Sequence, residues 1–175
     1  MKKFNLMQIV PALESGGVEQ GTIDLANHIA ENEDKNIVIS NGGRMLNLLN
    51  KKYVKHYKLP VHSKFFFRMP FIARKINLII RENNINILHI RSRAPAWILP
   101  YINKKNITTV STFHNVYGNQ NILKKYYNQG LAKADNIVAI SKYVCQEIIK
   151  CYQINPKKIT IINRGIDTEF FDNSI

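Results

Sequence analysis

The chain has 175 residues, 45% hydrophobic and 21% charged, values that suit one globular domain with a real core and disfavour disordered and membrane-spanning classes. Lys and Arg outnumber Asp and Glu by 25 to 12, a formal charge of +13 with a pI near 9.8, which predicts attraction to nucleic acid, anionic lipid or phosphorylated ligands without choosing among them. No apolar run approaches the roughly 20 residues that cross a bilayer, and the start MKKFNLMQIVPALESGG lacks a long apolar region followed by a small-residue cleavage site, so the expected location is cytoplasmic.

Taken in chain order, strand-length apolar runs alternate with helical patterns. The first predicted strand, Phe4 to Val10, runs into PALESGG and then a helical pattern from Val18 to Glu31. Gly16 and Gly17 at that junction let the backbone turn sharply and leave amide groups uncovered by side chains, the layout of an anion site; a plain tight turn is the other reading. The second strand, Asn36 to Ser40, ends in Asn41-Gly42-Gly43. A dinucleotide fingerprint needs G-x-G-x-x-G and an acidic residue at this strand end, and a Walker loop needs Gly-Lys-Ser/Thr. Neither is present, which disfavours nicotinamide, flavin and ATPase chemistry.

A third strand, His56 to Leu59, precedes a helix predicted from Ile72 to Arg81. Between and within them Phe65, Phe66 and Phe67 join the cations Lys64, Arg68, Arg74 and Lys75. That is the chemistry of a segment lying in a lipid interface; aromatics that simply fill the core are the alternative. The fourth strand, Ile87 to Ile90, runs into RSRAPAW, crowding His89, Arg91, Ser92 and Arg93 at its end, with a helix predicted from Ala94 to Lys104. Two arginines fork well onto phosphate or carboxylate oxygens, although a solvated rim also fits. The fifth strand, Thr108 to Phe113, delivers His114 to the same edge, where a histidine can exchange a proton, bind a sugar hydroxyl or be merely structural.

A helix from Ile122 to Lys133, a strand from Asn136 to Ile140, and a helix from Lys142 to Tyr152 N-capped by Ser141 follow. The last strand, Lys158 to Ile162, ends in a turn containing Asn163, Arg164, Gly165 and Asp167. Cys145 and Cys151 are spaced onto different faces of a helix and predict neither a disulfide nor a metal pair. Gly-x-Ser-x-Gly and His-Glu-x-x-His patterns and clustered metal ligands are missing, which sets aside hydrolases of those kinds. Continuous Ile/Val/Leu strands alternating with helices predict an α/β fold, a doubly wound Rossmann-like parallel sheet in a single domain of residues 1–175. Ligands in such a sheet bind beyond the carboxyl ends of the strands.

The segments SGGVE, ILHIRSRAPAW, STFHNVYG, AISKYVCQEI and INRGIDTEFF, in this order and spacing, make the chain similar over essentially its whole length to the N-terminal half of family 4 glycosyltransferases, retaining enzymes of the GT-B fold. RSRAPAW together with TFH looks most like bacterial enzymes that build lipopolysaccharide or other envelope glycans. The resemblance implies two Rossmann-like domains facing each other across a cleft. The N-terminal one binds a lipid-linked or envelope-glycan acceptor, and its glycine loop approaches the diphosphate of a nucleotide-sugar donor. By that resemblance Gly16 and Gly17 offer amides to the diphosphate, and Glu19 helps shape the loop on the acceptor side. His114 lies beside the reacting sugar as the catalytic candidate, and Arg91, Ser92 and Arg93 face the acceptor. Asn163, Arg164, Gly165 and Asp167 form the interdomain turn, where many members read Asn-Gly-Val-Asp. No cofactor and no metal are implied, the nucleotide sugar being a substrate.

The sequence stops at Asn173-Ser174-Ile175, where the linker into the family's C-terminal, nucleotide-holding domain would begin. The expectation is therefore a domain inactive alone that works with a separately encoded C-terminal half, or else a truncated, non-catalytic remnant binding acceptor or anionic membrane. The segment from Phe65 to Lys75 adds the expectation of peripheral attachment to the inner face of the cytoplasmic membrane. A basic nucleic-acid-binding module is the third alternative, but helix-turn-helix, RNA-recognition and zinc-finger patterns are missing, so no nucleic-acid partner is expected.

Overall fold

The computed structural model describes residues 4–31, 36–63, 65–117 and 122–165; Lys64 and Asp167, both singled out in the sequence, lie outside them. Seven strands form one parallel sheet: β1 (Leu6–Ile9), β2 (Asn36–Ser40), β3 (Val54–Lys58), β4 (Ile87–Ile90), β5 (Thr108–Phe113), β6 (Asn136–Ala139) and β7 (Ile159–Ile161). Their spatial order is β3-β2-β1-β4-β5-β6-β7, the doubly wound arrangement expected. The helices are α1 (Gly17–Glu31), α2 (Met69–Glu82), α3 (Arg93–Ala96), α4 (Ile122–Asn128) and α5 (Lys142–Tyr152).

The central strands are apolar on both faces because helices cover both. Met7, Ile9, Ile37 and Ile39 pack with Ile72, Ala73 and Ile76 of α2. Val10 and Val38, whose side chains alternate to the other face, pack with Ile23, Ala26 and Ala30 of α1. Each such Ile or Val taken from water stabilises the fold by about 1.5–3 kcal/mol before ordering costs. Among the polar side chains buried in this core is Gln8 of β1, whose Nε2 donates to the Thr22 carbonyl of α1 at 3.0 Å.

Strand order reverses at β1, which pairs with β2 on one side and β4 on the other. The chain leaves β1 through α1 toward β2 and leaves β4 through α3 toward β5, so the loops after β1 and β4 diverge and leave a crevice at their carboxyl ends.

Two predicted helices need correction. The helix expected from Ala94 to Lys104 is instead the one-turn α3 and a separate 3-10 turn, Leu99–Tyr101. Pro100 is the reason: it has no N–H to donate, and its ring would strike the carbonyl four residues earlier, that of Ala96, where α3 stops. The helix expected from Ile122 to Lys133 is α4 followed by a 3-10 turn, Gln129–Lys133. Gly130 in that turn approaches so closely that an added Cβ would sit 3.1 Å from the Ala96 Cβ and 3.2 Å from Trp97 Nε1. β1, β3 and β7 end within a few residues of their expected limits, and α2 starts earlier, at Met69. α5 has its expected limits, with Ser141 Oγ accepting from the Val144 N–H at 3.1 Å.

Candidate functional site at the carboxyl edge of the sheet

The loop after β1 is clamped to the loop after β2. Leu13 donates to the Gly42 carbonyl at 2.7 Å, and Met45 donates to the Leu13 carbonyl at 2.8 Å. Gly43 permits this approach with a φ of +140°, and a side chain there would collide with the Leu13 carbonyl. Gly16 then turns the chain at φ +126°, and its carbonyl accepts the Gln20 N–H at 3.0 Å, which starts α1. The first-turn N–H groups of this 15-residue helix have no intrahelical partners and carry its positive dipole end. Glu19 folds back on the loop, its Oε2 only 2.9 Å from where a Gly16 Cβ would lie. An open cavity of about 580 Å³ lies between this glycine loop and the 3-10 turn Arg44–Leu48, a turn the sequence did not announce.

On the other side of the crevice, Arg91 leaves β4 and turns inward. It is only 7% exposed, and its Nη1 donates to Gln8 Oε1 at 3.0 Å. Its Nε has no hydrogen-bond partner. Burial, then the neighbouring Arg164 guanidinium, pull its pKa down to about 10, with Asp24 acting the other way. Arg164, at the end of the described chain, reaches back across the crevice and donates through Nη2 to the Gly17 carbonyl.

His114 emerges from β5 beside these arginines, and neither of its ring nitrogens has a hydrogen-bond partner although both atoms are buried. Its pKa is lowered to about 3, by burial first, then by Arg91 and Arg164. The imidazole is therefore neutral at physiological pH, an uncharged donor and acceptor facing a site of fixed positive charge. His89, one strand back, is likewise lowered to about 3 by burial, Arg91 and His114, and its Nε2 lies 2.7 Å from Thr112 Oγ1.

The sequence paired Arg91 with Arg93, and the structure separates them. Arg93 opens α3, donates to Asn128 Oδ1 at 3.0 Å and lies 4.0 Å over the Tyr117 ring, tying α4 to the loop after β5. Ser92 occupies the N-cap position of α3 without a capping bond. Asn163 and Gly165 are exposed beside Arg164. The three phenylalanines divide: Phe66 packs edge-on against Trp97, ring centroids 4.8 Å apart, whereas Phe67 is 88% exposed and Phe65 66%. Phe71 on α2 is 72% exposed and continues the apolar surface into a helix that also carries Arg74 and Lys75. Among the described residues no helix is long and apolar enough to cross a membrane.

Two residues of the site escaped the sequence reading. Gln8 was hidden as one polar residue in an apolar strand. Gly21 was passed over, although its spacing of four from Gly17 marks one face of α1.

The family model described as Glycosyltransferase Family 4 matches residues 15–170. Among solved structures, a glycosyltransferase from Rickettsia africae ESF-5 is 39% identical with a TM-score of 0.83, covering 98% of this chain and 46% of its own. Anabaena Alr3699/HepE, solved with UDP and glucose, is 14% identical with a TM-score of 0.74, covering 96% of this chain and 46% of its own. The lipopolysaccharide outer core galactosyltransferase WaaB is 16% identical with a TM-score of 0.66, covering 94% and 46%. The last two likenesses are of fold alone. The chain spans less than half the length of each of these structures. Among curated proteins none matches.

Proposed function

The chain belongs to glycosyltransferase family 4, and on that footing we propose that it forms the acceptor-binding half of an enzyme that moves a sugar from a nucleotide-sugar donor to an envelope glycan or lipid-linked acceptor, with retention. The observation that carries this reading is His114, neutral and half-buried with both ring nitrogens unpartnered, at the carboxyl edge beside the glycine-started end of α1. A neutral imidazole suits hydrogen bonding to a sugar hydroxyl, whereas a charged one would add to the repulsion from Arg91 and Arg164. Gly16 and Gly17 offer N–H groups where a departing nucleoside diphosphate gathers negative charge, the main electrostatic demand of such a transfer. Nothing in these residues calls for a metal.

The rest of the diphosphate's surroundings belongs to the second half of a GT-B enzyme, so transfer requires that half, in the same chain or in a separate one. Phe65, Phe67 and Phe71 with Arg68, Arg74 and Lys75 would hold the protein against an anionic membrane, where a lipid-linked acceptor resides.

The reading is tested by joining residues 1–175 to the second half of the Rickettsia africae glycosyltransferase and following sugar transfer from a panel of labelled nucleotide sugars into extracted envelope lipid and glycan. Transfer that disappears in a folded His114→Ala variant is the expected result. No transfer and no release of nucleoside diphosphate from any donor, by a folded chimera, would count against it.

A further inference from the structure

Gly17 and Gly21 stand one turn apart on one face of α1, and two guanidinium groups lie on that face. The point a Gly21 Cβ would occupy is 3.1 Å from Arg91 Nη2 and 3.5 Å from Arg164 Nη2, and a Gly17 Cβ would collide with Arg164. A side chain at Gly17 would force the Arg164 guanidinium to move, and one at Gly21 would press on Arg91 Nη2 and Arg164 Nη2. Arg91 is held from below by Gln8, which is itself fixed to the Thr22 carbonyl.

This is an expensive arrangement. Arg91 is buried, its Nε has no partner, and among the described residues neither arginine forms an ion pair. A buried cation next to a second cation, with no carboxylate in contact, is stabilised when an anion arrives between them. We propose that Arg91 and Arg164, seated in the Gly17/Gly21 face of α1, form a two-arginine subsite for a phosphate or diphosphate group. Guanidinium groups suit this ligand because each presents paired N–H donors to two oxygens. His114, whose buried ring nitrogens have no partner, feels the charge of both arginines. The phosphate has two sources, the donor's diphosphate or a phosphorylated acceptor. The inference goes beyond the reading above, which gives Arg91 and Arg164 no ligand, and it does not depend on sugar transfer.

The test is isothermal titration of the 175-residue chain with inorganic pyrophosphate at low salt. Wild type is compared with Arg164→Ala, Gly21→Ala and, as a control on the exposed face of α5, Lys150→Ala, each first shown to be folded by circular dichroism. Arg164 is exposed, so its loss leaves the core intact. The expected result is affinity weakened about tenfold or more by Arg164→Ala and by a smaller factor, beyond about twofold, by Gly21→Ala, with Lys150→Ala unchanged. Binding within twofold of wild type in both site variants, equal weakening by Lys150→Ala, or no binding by wild type would overturn the proposal.

Competition then distinguishes the sources. Displacement of pyrophosphate by UDP assigns the subsite to the donor. Displacement by mannose 6-phosphate but not by UDP assigns it to a phosphorylated acceptor. A chain that binds pyrophosphate through these arginines, in a chimera that transfers nothing, would contradict the transferase reading and leave the subsite standing.

Discussion

Lowering the pH from about 7.5 to about 5 should destabilise this protein through the histidines at its carboxyl edge. His89 and His114 are held near a pKa of about 3, against 6.5 for an ordinary histidine, by burial first and then by neighbouring positive charge. Because the folded value is depressed, the unfolded chain binds protons first as the pH falls. Stability is complete well above 6.5 and is lost progressively between 6.5 and about 3. At pH 5 an unfolded histidine lies about 1.5 units below its own pKa, which at about 1.4 kcal/mol per unit is about 2 kcal/mol. His114 is only partly buried, so solvent screening trims its share to about 1 kcal/mol, and the pair together cost about 3 kcal/mol. For a chain of this size that lowers the melting temperature by roughly 6–12 °C. His56, lowered by burial and by Lys58, acts in the same direction. Asp135 acts elsewhere on the scale. Burial opposes its ionisation, but hydrogen bonds from Lys104 and Thr109 hold it below the usual 3.8, so its contribution is lost only at more acid pH. Thermal unfolding followed by circular dichroism at the two pH values, for wild type and for the double variant His89→Asn, His114→Gln, isolates the effect. The double variant should keep only a minor part of the drop. An equal drop in both proteins would refute the reasoning.

Other substitutions address the loop clamp, the aromatic surface and the helix cap. Gly43→Ala should cost about 2 kcal/mol or more in urea unfolding, because φ is +140° and the new methyl meets the Leu13 carbonyl; Gly165→Ala, with nothing within 4 Å, should cost under about 0.5 kcal/mol. Phe67→Ser with Phe71→Ser should leave the melting temperature within about 2 °C of wild type and weaken binding to phosphatidylglycerol vesicles, and unchanged vesicle binding would remove the case for a membrane surface. Phe66→Ser should instead lower stability by about 1–2 kcal/mol, since that ring packs on Trp97. Ser141→Ala should cost about 1 kcal/mol through the lost cap of α5, and Ser92→Ala almost nothing, because Ser92 makes no capping bond.

The sheet was legible because its physics is written locally. A strand covered by helices on both faces must be largely apolar, as Ile37 to Ile39 is throughout and Leu6 to Ile9 is apart from Gln8, and the alternation with helices then dictates parallel pairing. The edge that would hold ligands followed from the same pattern, which is why the glycine loop, Arg91, His114 and the final turn were found together. Partnerships within that edge were not legible. Arg91 and Arg93 are two apart and would share a face if the strand continued. The chain turns into α3 at Ser92 instead, sending Arg93 to Asn128 and leaving Arg91 to meet Gln8 and Arg164, residues far away in sequence. The helix after β4 was overread because its apolar pattern continues past Pro100 while its hydrogen bonds do not.

Amide chemical-shift mapping tests the central claim most directly: the isotopically labelled chain is titrated with a panel of nucleotide sugars at millimolar concentration. The account predicts saturable shifts centred on Gly16, Gly17, Val18, Arg91 and His114, the residues that ring the crevice at the carboxyl end of the sheet. Saturable shifts centred instead on the opposite edge of the sheet, around Asn84 and Asn106, or no saturable shift with any member of the panel, would contradict it.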